Sequence, residues 1–206
     1  MTQLNLPGTP AHWAAIGFSV ADHDFSLGQA SCHVGAAAPS WAFAGGDSGV
    51  TELSGIETAH TQSPIPRPLA PSHPNQAFKI DHVVVASASP SESKRELEEF
   101  GFVASGERPA AEGQSQWSQS FFWSGELLIE LVGPIDESAD SAPQAEIWGV
   151  TFVVNDFGPL RAVAGGLVGA ARPAAQPGRQ IATVGSSAAL GVAVAFMTPH
   201  VKRQQS

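Results

Sequence analysis

Two runs carry the side chains best placed to do chemistry, residues 80–87 (IDHVVVAS) and residues 127–134 (LLIELVGP). Both read as strands, and strand side chains alternate faces with a period of two. His82, Val84 and Ala86 therefore share one face of the first run, and Leu128, Glu130 and Val132 share one face of the second. A carboxylate in the middle of LLIELV is costly to bury unless it is paired, hydrogen-bonded, protonated or bound to a metal. If His82 and Glu130 project from neighbouring strands into one concavity, three roles are open to them. They could form a hydrogen-bonded pair, hold a divalent cation through nitrogen and oxygen, or move a proton.

The elements between and after these runs repeat. Residues 80–134 read strand, helix, strand, strand, strand. In the helix, Ser89 is a cap candidate, Pro90 suits the first helical position and Glu92 stands three residues after Ser89, the pattern of a capping box. Leu97 and Phe100 fall on one helix face, and Gly101 ends the helix. Residues 117–123 (WSQSFFW) and 126–132 (ELLIELV) read as strands around Ser124-Gly125. A weaker copy begins at residues 147–156 (IWGVTFVVND) and passes through a short helix capped by Asp156, with Leu160 and Val163 facing inward before Gly165-Gly166. It ends in two strands, 180–184 (QIATV) and 191–197 (GVAVAFM), followed by Pro199. A repeat of this kind fixes the architecture before any single residue is interpreted.

A tandem β-α-β-β-β unit with IDHVVV on its first strand and LLIELVGP on its last resembles the vicinal oxygen chelate superfamily, which includes glyoxalase I, extradiol dioxygenases and bleomycin-resistance proteins. The resemblance covers residues 78 to about 200. It implies an α+β fold in which two modules (78–135 and 146–200) form a cupped mixed sheet. It also implies metal ligands at His82 and Glu130, with Glu130 as the catalytic group. The second unit departs from the pattern: Gly149 stands opposite His82, and Ala195 opposite Glu130. Further donors would have to come from His12, His33, Glu52, Glu57, His60, Gln116 or Gln119, from water, or from another subunit. The resemblance thus implies a divalent metal (Zn, Ni, Mn or Fe), while the two losses imply none. It also implies a homodimer.

Other candidates are weighed on their own chemistry. Arg179 follows the turn Gln176-Pro177-Gly178; it is either a strand-edge charge facing solvent or a group that grips a ligand carboxylate. Trp117, Phe121 and Trp123 alternate on one face and either line the cup or, as preferred, pack in the core under the helix. Trp148 sits beside the lost ligand position and fills space there. Cys32 and His33, as strand neighbours, point to opposite faces and do not form a nucleophile and its base.

Composition narrows the classes. Of 206 residues, 43% are hydrophobic and 14% charged, which is a globular composition. Ten Lys plus Arg against 19 Asp plus Glu, without clustering, argues against a nucleic-acid partner. No apolar run approaches the ~18–20 residues of a membrane span, and a single cysteine does not require an oxidising compartment. A cytoplasmic protein is expected. Residues 1–60 read as an all-β extension, with a hairpin from 12–20 and 25–35 and further strands at 41–44 and 50–53. This extension would either resemble a degenerate third module or cover one mouth of the cup. Residues 61–77, rich in proline, read as a linker. Two functions follow: a glyoxalase-like, metal-dependent lyase or related enzyme, or a metal-free protein that binds or sequesters a small molecule.

Overall fold

The computed structural model describes residues 1–28, 30–45, 49–61, 72–109, 116–136 and 144–200. Strand β1 (Gln3–Leu6) alternates half-buried Gln3 and Asn5 with fully buried Leu4 and Leu6. Helix α1 (Pro10–Ala15) follows, where the sequence suggested a strand. Its capping chemistry outweighs the short apolar run HWAAIGFSV that suggested a strand. The His12 N–H donates to Thr9 Oγ1, the Thr9 N–H donates to His12 Nδ1, and Pro10 sits in the first turn. Strands β2 (Asp24–Leu27) and β3 (Ala30–Val34) divide the run expected as a single strand. Strands β4 (Ser40–Ala44) and β5 (Gly49–Leu53) fall as expected, and β6 (Ile56–Thr61) adds one more. The six strands form one sheet in the order β2-β3-β1-β4-β6-β5.

The second sheet is built from β7 (Lys79–Ser87), α2 (Pro90–Glu99), β8 (Val103–Pro109), β9 (Trp117–Ser124) and β10 (Leu127–Pro134). The repeat then supplies β11 (Ala145–Val153), α3 (Gly158–Ala164), β12 (Arg172–Pro173), β13 (Gln180–Thr183) and β14 (Ala193–Met197). Their order is β12-β13-β14-β11-β7-β10-β9-β8. Strand β7 runs parallel to β10, β11 runs parallel to β14, and β7 and β11 meet antiparallel at the centre. The smaller sheet repeats this scheme: β1 is parallel to β3, β4 is parallel to β6, and β1 and β4 are antiparallel at the centre. The N-terminal extension therefore has the pairing pattern of two reduced modules, the second without a helix.

Helix α2 begins as expected at Ser89 and Pro90, but the expected capping box does not form. Ser87 Oγ, at the end of β7, takes the Ser89 N–H at 3.0 Å and pairs with Ser93 Oγ at 2.8 Å, while Glu92 pairs with Arg95. Gly133 permits the close packing here, because a Cβ would collide with the Ser87 carbonyl oxygen and the Pro90 ring. In α3, Asp156 Oδ1 accepts the Gly158 N–H at 2.7 Å, and Leu160 with Ala164 forms the buried stripe. Val163, expected to face inward, is exposed.

The two sheets share one hydrophobic core. Phe152 and Phe196 meet across β11 and β14 and pack against Trp13, Phe18 and Phe25 from the N-terminal part. On the other side, Phe43 of β4 packs on Phe100 and Phe102 at the end of α2. The extension thus backs the large sheet on its core face, and its Glu52 and Gly55 also reach a hollow shared with Ala86, Trp117 and Glu146.

Residues 62–71 of the proline-rich stretch lie outside the described residues, but in 72–77 every second residue, His73, Asn75 and Ala77, is buried. Asn75 is fully buried and donates to the Ile16 carbonyl at 2.9 Å. His73 is buried too: its Nδ1 accepts the Ser19 N–H at 3.1 Å, and its Nε2 bonds the Ser26 carbonyl at 3.0 Å. Burial lowers its pKa, against a smaller opposing effect of the Ser26 carbonyl. The folded value lies below the unfolded one, so the native imidazole is neutral. Its contribution to stability is complete above the unfolded value of about 6.5 and falls as pH drops from there toward the folded value. The thermal midpoint of the native chain should therefore drop more between pH 7 and pH 5 than that of a His73→Gln variant. Parallel curves for the two proteins would refute this.

Candidate functional site

Two bulges shape the centre of the large sheet. On β11, Ile147 and Gly149 stand opposite Val85 and Val84, so Trp148 is the extra residue. On β7, Ile80 and His82 stand opposite Phe152 and Thr151, so Asp81 is the extra residue. A bulge reverses the facing of the residues that follow it. Ile80 turns into the core and His82 turns into the cup, while Asp81 stays within reach of the His82 ring. The bulges occupy corresponding places in the two halves, which confirms the alignment of His82 with Gly149. Glu130 pairs with Val84, and Ala195 pairs with Thr151, which aligns the second lost position in the same way.

His82 is 6% exposed. Its Nδ1 lies 2.9 Å from Asp81 Oδ2, and its Nε2 lies 3.1 Å from Thr151 Oγ1 and 3.5 Å from Glu130 Oε2. Glu130 Oε1 accepts from Gln119 Nε2 at 2.9 Å. Behind the histidine, Arg179 donates from both terminal nitrogens to Asp81, at 2.6 and 3.2 Å, and from Nε to the Thr198 carbonyl at 2.6 Å. Its Nη1 also lies 3.2 Å from His200 Nε2. Burial alone would push the Asp81 carboxyl up, but hydrogen bonds and charge from His82 and Arg179 outweigh it and hold that carboxyl well below the usual range. A polar chain thus runs Arg179, Asp81, His82, Glu130, Gln119. It orients the imidazole with Nδ1 toward Asp81 and Nε2 toward the cup.

A cavity of about 270 Å³ opens over this chain. His82, Glu130, Gln119 and Phe121 line one side, with Ile181 and Met197 opposite. Arg108 from β8 and Arg172 from β12, the two edge strands, reach the same space. A neighbouring hollow of about 490 Å³ is lined by Trp117, Trp148, Glu146, Val132 and the shared Gln119.

The structure brings His82 and Glu130 together with Phe121, and sets Trp117 and Trp148 around the adjoining hollow. Core packing of the aromatic stripe is overturned. Phe122 is the β9 residue buried in the core, whereas Trp117 and Trp123 are exposed. Trp123 lies outside both hollows and bonds Ser105 Oγ through Nε1 at 3.1 Å. Trp148 fills no space at Gly149; it projects from its bulge and is 55% exposed. Arg179 takes neither expected role, because it is 2% exposed and committed to Asp81.

Among the alternative donors, only Gln119 reaches Glu130. His12 caps α1, His33 pairs with Asp24 at 3.0 Å, His60 packs on Phe100, and Glu52 and Glu57 face each other across β5 and β6. Cys32 is fully buried; burial, then the nearby Asp24 charge, push its thiol far up, so it is no nucleophile. Sequence reasoning missed Asp81, Thr151, Arg108 and Arg172. Asp81 carries a signal only in hindsight, as a carboxylate directly before the histidine.

The residues present do not fit the metal that the fold family implies. Of the four corresponding positions, two are Gly149 and Ala195, which have no donor. Among the described residues, no group of three His, Cys, Asp or Glu side chains converges to hold an ion. No described helix is long and apolar enough to cross a membrane.

No family model matches the sequence, and no curated protein matches it. Solved structures do. A mutant form of 4-hydroxymandelate synthase from Streptomyces coelicolor has a TM-score of 0.62, with 13% identity over 98% of this chain and 92% of that one. Methylmalonyl-CoA epimerase from Mycobacterium tuberculosis has a TM-score of 0.47, with 19% identity over 61% of this chain and 91% of that one. A hypothetical protein from Bacillus halodurans has a TM-score of 0.48, with 21% identity over 62% and 98%. With its paired modules, its central antiparallel seam and this likeness across nearly its whole length, the chain has the fold of the vicinal oxygen chelate superfamily.

Proposed function

We propose that the chain is a small-molecule-binding protein whose cup holds its ligand through side chains, without a metal. One observation carries this reading: the second module offers Gly149 and Ala195 where a complete ligand set needs donors, and the remaining pair is already hydrogen-bonded. His82 is engaged by Asp81 and Thr151, and Glu130 by Gln119. An apolar wall with a few convergent polar groups is the common form of a ligand pocket, and Phe121, Ile181 and Met197 supply such a wall.

A second reading rests on one distance. His82 Nε2 and Glu130 Oε2, 3.5 Å apart, could both reach one ion at about 2.1 Å each, and Asp81 on Nδ1 is the kind of partner that orients a ligating histidine. Two protein donors make a weak site, so this reading ranks second.

Metal analysis of the purified protein separates the two. The expected result is substoichiometric metal and a thermal midpoint that excess Zn²⁺, Ni²⁺, Mn²⁺ or Fe²⁺ leaves in place, since an ion that bound the native state would raise it. One metal per chain, lost in His82→Ala or Glu130→Ala, would install the second reading. Ligand binding is tested by amide NMR with a mixed set of small acids, amides and amines. Signals of Gln119, Phe121 and Thr151 should move for at least one class. If none moves them, the cup is not a binding site.

A further inference from the structure

The cavity over His82 is unusual in its charge. The chain carries a formal net charge of −9, with ten Lys and Arg in all. Two of those ten, Arg108 and Arg172, line this one cavity. They come from β8 and β12, which are the opposite edges of the eight-stranded sheet. The sheet curls until its two rims face one space, and each rim contributes an arginine.

Register explains why both point inward. Arg108 pairs with Gln119, and Arg172 pairs with Ile181, both of which line the cavity. Arg108 is further steadied by Phe121, whose ring centre lies 5.4 Å from the guanidinium carbon. Among the described residues neither arginine forms an ion pair, in contrast to Arg95 and Arg179. The lining therefore holds two guanidinium charges against the single carboxylate of Glu130, a surplus of one positive charge when His82 is neutral. A third feature belongs to the same space. Gln176 lines the cavity, and its Oε1 is buried with no hydrogen-bond partner among the described residues, which costs free energy.

We propose that Arg108 and Arg172 form a two-sided clamp for the carboxylate of a small monoanionic ligand held over His82 and Glu130. This rests on the cup being a binding site, as argued above, and adds the chemical class of what it takes. A guanidinium matches a carboxylate through parallel N–H donors, and one negative charge balances the surplus. A phosphate monoester, with about −1.5 to −2 charges at neutral pH, would exceed it.

The test uses the full chain with acetate, lactate, benzoate and 3-hydroxybenzoate as carboxylates, and benzamide, benzylamine and phenyl phosphate as comparisons, followed by NMR and calorimetry. At least one carboxylate should bind saturably, more tightly than any comparison compound. Arg108→Gln and Arg172→Gln should each weaken it about tenfold, the worth of one charge-assisted contact. Both side chains are exposed, so the variants should keep the native thermal midpoint. Binding should also weaken with salt. The proposal falls if benzamide or benzylamine binds as well as the carboxylates, if phenyl phosphate binds better, or if the arginine variants bind unchanged. Each of these leaves the binding reading intact. Silence from every carboxylate while an amide or amine still shifts Gln119 and Phe121 also overturns the clamp alone.

Discussion

Replacing Asp81 with alanine should cost about 3–5 kcal/mol of folding stability, the usual penalty for breaking one side of a buried ion pair. The substitution leaves the Arg179 guanidinium, whose side chain is 1% exposed, without its counter-charge. It also removes the acceptor that fixes the His82 ring. Denaturant unfolding of Asp81→Ala against the native chain measures the loss. A double variant, Asp81→Leu with Arg179→Met, should lose less than Asp81→Ala alone, because no buried charge is left behind. A loss in Asp81→Ala of only about 1 kcal/mol, the value of a solvated pair, would show that the pair is not buried as described. The pH dependence follows in sign. The folded carboxyl titrates below the unfolded one, so its contribution is complete above the unfolded range near 3.8 and is lost as pH falls toward the folded value. Acid unfolding of the native chain should accordingly be steep below the ordinary carboxylate range, and shallower in the double variant.

The second large effect is expected at Trp13. Its side chain is fully buried, its ring stands 5.6 to 6.2 Å from Phe18, Phe25 and Phe152, and its Nε1 donates to the Pro7 carbonyl at 2.8 Å. Trp13→Ala should cost about 3–5 kcal/mol through lost contacts and the cavity left behind. Because the ring bridges the two sheets, the loss should also reduce their cooperativity, so that the N-terminal sheet opens first. Hydrogen exchange in the variant should show strands β1 to β6 exchanging ahead of β7 to β14. Uniform exchange across both sheets, together with a small loss of stability, would refute the bridging role.

Much of the large sheet was legible because a repeat is a strong signal. Strands β7, β9 and β10 fall within a residue or two of their sequence limits, and β11 within three. Their faces follow from alternation except at the bulges, where one inserted residue reverses the pattern. That single device hid Asp81 from the sequence: in a regular strand it would face away from His82. The N-terminal helix was read as a strand because HWAAIGFSV is a short apolar run, a pattern that a strand and a buried helix share. The Thr9 and His12 cap that decides the matter spans only three residues. Strand β1 was missed because it is only four residues long, and β6 because Glu57, Thr58, His60 and Thr61 leave it few apolar positions. Arg108 and Arg172 were invisible as a pair, since only the curl of the sheet brings residues from β8 and β12 to one cavity.

The rims of the large sheet have another consequence. Strand β12 is two residues long and contains Pro173, which cannot donate to a neighbouring strand. Strand β8 is interrupted by an irregularity between Ala104 and Gly106 and carries Glu107 and Arg108. Both margins lack the long, flat row of free backbone donors and acceptors on which a foreign strand could zip. The molecule can therefore keep a wide sheet, exposed along two borders, without inviting fibrous stacking.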